Sequence, residues 1–390
     1  MKKIIHIASD EKFINSAYWQ FNEVFPNQNI FYLLVDNTNQ ELKHVQLNSN
    51  FFLIKNDLKN LRKLVESLLK EGFICFHGLN FHSSFLLNKL GDNCRIFWFL
   101  WGSEVYNNSE LVEQKSLYGD FTFSYFFKIS KKEKFIEFLK NNIRQSYYKL
   151  IFGTDSPQKL IYKAIKRVDY CAILYIEEFN FINEKIKTDI KFLKFSYYPI
   201  ERMIRNENVR IKADNILLGN SASETNNHLE AFELLNNFHL KERKIIVPLS
   251  YGKTEYADEI IKVGEKLFND NFIPLIDFMP LHDYNEYIEQ CGIVIMNHYR
   301  QQAVGNVLTM LWMGAKVYLD ERNTLYHYLN RIGVHVFSIQ TELHNDNPEV
   351  FSLLSIEDQD NNRHILKNEI GQNLLLKKLR EQLIPIVNES

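Results

Sequence analysis

The sequence predicts an α/β protein of two Rossmann-like lobes, and three observations carry that expectation. Short apolar runs of strand length alternate with amphipathic stretches of helix length, the pattern of βα units around a parallel sheet. That alternation runs through once, breaks at a charged stretch, and runs through again. At 390 residues the chain is also too long for one ordinary core and suits two.

In the first half the expected strands are "KIIHIA" (3–8), "IFYLLV" (30–35), "FFLI" (51–54), "FICFHG" (73–78), "RIFWFLWG" (95–102), "YCAILY" (170–175) and "KFLKFSYYP" (191–199). In the second half they are "NILLGNS" (215–221), "KIIVPLSYG" (244–252), "FIPLIDF" (272–278), "GIVIMN" (292–297), "AKVYL" (315–319) and "VHVFSI" (334–339). Between the two series, "IERMIRNENVRIKADN" (200–215) follows Pro199, is charged and holds few large apolar residues, so the interlobe linker is expected there. Two polar stretches, "TELHNDNPE" (341–349) and "EDQDNNRH" (357–364), separate the last strand from an amphipathic segment, "ILKNEIGQNLLLKKLREQLIPI", read as a C-terminal helix. These marks divide the chain into a first lobe over 1–205, a second over 206–355 and a terminal helical segment over 356–390.

Abundant Phe and Tyr with scarce Pro and Gly exclude a disordered or collagenous chain. The formal net charge of -2 argues against a nucleic-acid binder working by bulk electrostatics. Cys75, Cys94, Cys171 and Cys291 each lie in or beside an apolar run without paired spacing, and read as reduced core residues of a cytoplasmic protein. Asp10 and Glu11 interrupt the apolar N-terminus before a signal peptide could form. Stretches such as "IFWFLW" (96–101) fall well short of the roughly 20 residues that span a bilayer, so any membrane contact is expected to be peripheral.

In open α/β sheets, ligands bind beyond the carboxyl ends of the strands, where helix N-termini offer unpaired N–H groups and partial positive charge. Three such ends stand out in the second half. In "GNSASETNNHLE" (219–230), a strand ends at Gly219 and turns through Asn220, Ser221 and Ser223 into a helix start holding Asn227 and His228. Ser and Asn suit an N-cap equally well, so a capped helix and a ligand contact are both open. "VPLSYG" (247–252) leaves a buried strand for a loop with Ser250 and Tyr251, where Gly252 allows close backbone approach. In "VIMNHYRQQAVGN" (294–306), core packing explains the apolar residues but not His298, Tyr299, Arg300, Gln301 and Gln302 in one run. Arginine is the side chain best shaped for two-pronged phosphate contact, and Gly305 with Asn306 would expose backbone N–H groups at a helix start. Diphosphate binding is the better account of that run. No GxxxxGK[ST] and no GxGxxG follows any strand. "DQD" (358–360) resembles a metal-holding carboxylate pair, yet its place before the last helix suits capping, and no metal or other cofactor is expected.

Together, "ILLGNSASETNNHLEAFELL", "IIVPLSYG", "GIVIMNHYRQQAVGNVLTMLWMGAKVYLDERN" and "IGVHVFSI" resemble the TDP-N-acetylfucosamine:lipid II N-acetylfucosaminyltransferases, glycosyltransferase family 56. The likeness spans most of residues 214–340 and is weaker in the first lobe. It implies a GT-B fold, in which two Rossmann-like lobes face a cleft and the last helix crosses back to the first lobe. It further implies a dTDP-linked 4-acetamido-4,6-dideoxygalactose donor, with UDP open as carrier. The implied acceptor is a saccharide on undecaprenyl diphosphate at the cytoplasmic face of the inner membrane, and transfer proceeds with retention. Residues 219–228 and 298–306 would then flank the donor diphosphate, with amides, Arg300 and helix N-termini in place of a metal. Many GT-B members place a ribose-binding glutamate about where Thr309, Met310 and Leu311 stand here, so the ribose must be held by other groups. "DFMP" (277–280) is the expected base contact, through Phe278 or Met279, with a plain turn as the alternative.

The first lobe is expected to hold the acceptor and any general base. Its strand ends offer Asp10, His77 and Glu104, with a hydrogen-bonded core histidine the alternative for His77. Glu104 would deprotonate an acceptor hydroxyl or steady an oxocarbenium-like sugar. From Lys128 to Arg167 eleven Lys and Arg stand against three Asp and Glu, a net +8 that leaves -10 elsewhere. Aromatic residues interleave with those charges over about 126–167, as expected for helices lying on an anionic lipid surface. Two readings compete with a glycosyltransferase: a non-catalytic sugar-nucleotide-binding protein and a two-lobed sugar-nucleotide epimerase.

Overall fold

The computed structural model describes residues 3–69, 72–127, 143–204 and 207–389. The chain divides into two compact units, the first comprising Met1–Glu113, Ile129–Pro199 and Gln372–Ser390 and the second Gln114–Lys128 and Ile200–Gly371.

In the first unit β1 (Ile4–Ala8), β2 (Asn29–Val35), β3 (Phe51–Lys55), β4 (Phe73–His77), β5 (Arg95–Phe99), β6 (Tyr170–Ile173) and β7 (Lys191–Lys194) form a seven-stranded sheet in the order β3-β2-β1-β4-β5-β6-β7. Every pairing is parallel. Both faces of such a sheet are covered, which is why β1 and β4 are buried at every position and read as unbroken apolar runs. Ile4, Phe21, Phe97, Phe99 and Phe195 pack together with Leu379 and Leu383 from the terminal helix Gln372–Glu389. Gln382 ties that helix to β7, accepting from the Lys194 N–H at 2.8 Å and donating to its carbonyl at 3.0 Å.

The second unit repeats the plan with β8 (Ile216–Leu218), β9 (Ile245–Pro248), β10 (Phe272–Leu275), β11 (Ile293–Met296), β12 (Lys316–Leu319) and β13 (Phe337–Ser338), in the order β10-β9-β8-β11-β12-β13. These pairings too are parallel. In each sheet the strand order reverses between the two central strands, β1/β4 and β8/β11, and that reversal opens a crevice at their carboxyl ends.

All the expected strands form, though several stop early. The apolar run after β5 continues as loop, and "KFLKFSYYP" pairs only over Lys191–Lys194, because apolar composition does not record where a neighbour's hydrogen bonds end. Three segments differ from the sequence expectation. Residues 114–128 lie in the second unit rather than the first lobe. There the helix Asp120–Phe126 receives Glu230 at its N-terminus, through Thr122 N–H at 2.8 Å and Thr122 Oγ1–H at 2.5 Å. The polar stretch 357–364 is not a connector but part of the helix Ile356–Ile370. Ser355 caps it, accepting from the Asp358 N–H at 3.0 Å and donating to Asp358 Oδ2 at 2.6 Å, so "DQD" sits in a first helical turn. Gly371 separates that helix from the last one. The 200–215 stretch belongs to the second unit, where the Arg363 guanidinium holds the carbonyls of Glu207 (3.0 Å), Val209 and Trp312 (2.6 Å).

Candidate functional site

At the carboxyl end of β8 the chain leaves through Gly219 at φ +69°, a conformation side chains rarely adopt. A Cβ there would come within 2.6 Å of the His228 Nε2. The chain then makes a short 3-10 turn, Glu224–Asn226, passes Asn227 in the left-handed region (φ 51°), and enters the helix His228–Leu235. Asn226, Asn227 and His228 are fully buried.

Asn226 organises this corner. Its Oδ1 accepts the Asn220 N–H (2.9 Å) and lies 2.8 Å from His298 Nε2, while its Nδ2 donates to the carbonyls of Ser221 (3.0 Å) and Ser223 (3.1 Å). Because the amide oxygen only accepts, His298 carries its proton on Nε2. Asn227 works the same way one residue on: Nδ2 donates to the Asn297 carbonyl (3.1 Å), Oδ1 accepts the Gly119 N–H (2.9 Å), and Asn297 returns a bond to the Asn227 carbonyl (3.2 Å). The ends of β8 and β11 are thereby stitched together by side-chain amides. Gln302 completes the seam, donating to Asn220 Oδ1 (3.0 Å) and accepting from Thr225 Oγ1 (2.7 Å).

Both histidines are neutral. Burial pushes His228 down to about 3, and burial, then the Arg300 charge, then His228 do the same to His298. His228 Nδ1 is 2.9 Å from the Tyr256 hydroxyl, whereas His228 Nε2 and His298 Nδ1 are buried without a hydrogen-bond partner.

After β11 the chain runs through Tyr299, Arg300, Gln301 and Gln302, all half-buried, to the helix Val304–Met313. Ala303 precedes that helix in the left-handed region (φ 55°) and supplies no side-chain cap. A Cβ on exposed Gly305 would meet open space, Asn306 is half-buried, and no side-chain hydrogen bond caps the helix at Ala303. Tyr299 lies under the Arg322 guanidinium, 3.3 Å from carbon to ring centre. Asp320, fully buried just after β12, holds that guanidinium through Nε (2.8 Å) and Nη2 (2.6 Å).

A cavity of about 480 Å³ opens beside this corner between Ser221–Glu224 and Ser250–Lys253. Gly252 at φ +130° lets the two loops touch, with Ala222 N–H donating to the Tyr251 carbonyl at 2.7 Å. Ser250 is exposed, and Tyr251 (82%) and Phe278 (92%) stand almost free in solvent at the ends of β9 and β10, with Met279 half-buried. The structure therefore brings Gly219, Asn220, Ser221, Ser223, Asn227, His228, His298 and Gln302 into one bonded corner and leaves Phe278 and Met279 on a separate loop. Sequence reasoning missed Asn226, Asn297 and Asp320; the position of each just after a strand or inside a quoted polar run was the available signal.

In the first unit the three candidate acid–base residues are engaged inside the fold. Asp10 accepts the N–H groups of Lys43 (2.6 Å), His44 (3.1 Å) and Val45 (2.9 Å), which makes it a loop clasp. His77 is buried, with both ring nitrogens bonded, to His6 Nδ1 (3.0 Å) and the Tyr197 hydroxyl (2.9 Å), and burial holds it well below the usual histidine range. Glu104 Oε1 accepts Trp98 Nε1–H (2.9 Å) and the Trp101 N–H (3.1 Å); burial raises its pKa against those bonds. Among the described residues, no group of three or more His, Cys, Asp or Glu could hold a metal ion.

Residues 166–355, just under half of the chain and the whole of the second sheet, match the family model described as 4-alpha-L-fucosyltransferase, glycosyl transferase group 56. The protein is a glycosyltransferase. Its fold is shared end to end with a glycosyltransferase from Rickettsia africae, at 14% identity and a TM-score of 0.60 over 100% of both chains. Sucrose-phosphate synthase from Thermosynechococcus elongatus is similar over 100% of both chains at 9% identity and a TM-score of 0.63. HepE from Anabaena, in complex with UDP and glucose, is similar over 98% of this chain and 99% of its own, at 10% identity and a TM-score of 0.57. Such identities establish the architecture alone, and that architecture is GT-B. No helix among the described residues of this glycosyltransferase is long and apolar enough to cross a membrane.

Proposed function

We propose that the protein moves an N-acetylated amino-deoxy sugar from a dTDP-linked donor to a saccharide carried on undecaprenyl diphosphate, with retention of configuration. One observation carries the reading: an uncapped helix N-terminus at Val304–Asn306 follows Arg300 directly at the carboxyl end of β11, beside the amide-stitched end of β8. Diphosphate gains negative charge as the glycosidic bond breaks, and a positive helix end with a guanidinium stabilises that charge in the transition state more than in the ground state. Gly219, Asn220, Asn227, His228, His298 and Gln302 shape the corner rather than titrate, since the amides are bonded within it and the imidazoles are neutral. Tyr251 and Phe278 offer apolar rings for the base.

A membrane-borne acceptor fits the surface of the helical residues 143–152. Ile143, Tyr147, Leu150 and Ile151 are exposed and fall on one face at helical spacing, while Tyr148 and Phe152 pack on Phe81. Exposed Arg144 and Lys149 flank the stripe, the composition that lies on anionic lipid at the cytoplasmic leaflet. Of the basic aromatic segment, Lys128, Lys131, Lys132, Lys134, Phe135, Phe138 and Lys140 fall outside the described residues.

The test is transfer of labelled sugar from dTDP- and UDP-linked donors to a polyprenyl-diphosphate saccharide in vesicles containing anionic lipid. Label in the lipid phase with the dTDP donor supports the reading. Nucleotide binding without transfer would leave a sugar-nucleotide-binding protein, and conversion of the donor without acceptor would leave an epimerase.

A further inference from the structure

The carboxyl edge of the first sheet carries a cluster of aromatic rings that stays partly exposed, although Tyr197 and Trp101 also pack against the core. Core rings such as Phe21, Phe97 and Phe99 have no exposed surface, but Phe13, Trp101, Tyr197 and Tyr198 are only half-buried. They sit together, with the Phe13 ring 5.9 Å from Trp101, 5.1 Å from Tyr197 and 5.9 Å from Tyr198. Phe13 follows β1, Trp101 follows β5 and the tyrosines follow β7, all at the end of the sheet where the β1/β4 reversal opens.

The polar atoms of these rings are already hydrogen-bonded within the unit. Trp101 Nε1–H donates to the Tyr197 hydroxyl oxygen at 2.9 Å, and Tyr198 donates to the Lys12 carbonyl at 2.6 Å. A chain with one self-consistent direction lies behind them. Asn29 donates to the Phe25 carbonyl (2.7 Å), so its oxygen faces His6 Nε2 (3.3 Å), which must carry a proton. His6 Nδ1 then accepts from His77 Nε2–H, and His77 Nδ1 accepts the Tyr197 hydroxyl proton. Beneath, Gly78 at φ +70° has no Cβ; one there would lie 2.5 Å from the Trp101 indole, so the ring rests flat against the backbone.

The result is a fixed, partly exposed cluster of rings tilted 34–52° to Phe13, with Lys12 Nζ 5.3 Å from the Phe13 ring centre. A pyranose has one face of C–H groups and an edge of hydroxyls, and its apolar face leaves water most favourably against flat aromatic rings held in place. Ser9 and Asn80, linked at 3.2 Å on the same sheet edge, supply partners for hydroxyls. We propose that Phe13, Trp101 and Tyr198 form the stacking surface for the acceptor's sugar ring, with His77 a positioning residue that holds Tyr197 and, through it, Trp101. The sugar-transfer reading enters only in naming the stacked ring as the acceptor's.

Full-length protein labelled with 5-fluorotryptophan tests this by fluorine NMR, with Trp101→Phe assigning the resonance. Methyl glycosides of glucose, galactose and N-acetylglucosamine are titrated one at a time, then dTDP alone. The expected result is a saturable shift of the Trp101 signal with at least one glycoside and none with dTDP. Phe13→Ala should weaken that titration about tenfold. His77→Leu should move the free Trp101 signal and weaken the titration, and His77→Gln, which can accept from Tyr197 and donate to His6, should restore both. No shift with any glycoside, or unchanged affinity in Phe13→Ala, would overturn the proposal. Failure of dTDP to bind anywhere would instead sink the donor assignment and leave this surface standing.

Discussion

The two central reversals, β1/β4 and β8/β11, are built on one topology and end in opposite chemistry. Each places a pair of buried neutral histidines at or just beyond the central strands, His6 and His77 in one and His228 and His298 in the other. In the first, every imidazole nitrogen is bonded within a single chain that ends on aromatic rings. In the second, the histidines join a mesh of side-chain amides beside an uncapped helix end, and two ring nitrogens lack a hydrogen-bond partner. The first edge presents aromatic rings and the second an uncapped helix end. A sugar ring and a diphosphate ask for those two things respectively.

The contrast can be broken at its amide hub. Asn226→Leu would strand the Asn220 N–H and the His298 Nε2–H, while the Ser221 and Ser223 carbonyls keep the backbone N–H groups of Ser223 and residue 226. At about 1–3 kcal/mol for each buried group left unbonded, chemical unfolding should show a loss of several kcal/mol. Next in size, Arg300→Ala removes a charge-assisted contact worth about 2–3 kcal/mol, so kcat/KM for the donor should fall by ~50-fold while thermal unfolding shifts little. Acid should weaken both edges. His6, His228 and His298 are held down to about 3 and His77 well below 6.5, so below pH 6.5 the unfolded chain takes up protons the folded one refuses. Stability should therefore decline as pH falls from 6.5 toward 3, by about 1.4 kcal/mol per pH unit for each histidine, and His6→Asn should flatten the slope by one such share. Smallest in its effect on the fold, Leu150→Glu changes a residue 84% exposed. It should leave the melting temperature alone and cut sedimentation with anionic vesicles by ~tenfold.

The strands were legible because a doubly covered parallel sheet forces unbroken apolar runs, as at β1 and β11. The candidate corner was legible because "NHYRQQAVGN" holds more polar groups than a core or a cap requires. What stayed hidden depends on partners far away in sequence. Asn226 reads like any helix-capping asparagine until His298 appears beside it. His77 and Glu104 read as acid–base candidates because a sequence does not show that Tyr197 and Trp98 already occupy them. The Ile356–Ile370 helix was lost to its polar surface, which composition cannot distinguish from a connector.

In the proposed reading the carboxyl end of β8/β11 holds the donor diphosphate. Amide hydrogen exchange of the full-length protein with and without saturating dTDP tests it most directly. Slowed exchange is expected at 219–228 and 304–306, with no change at 9–13 or 99–102. Protection confined to the first sheet's edge, or none at 304–306, would contradict it.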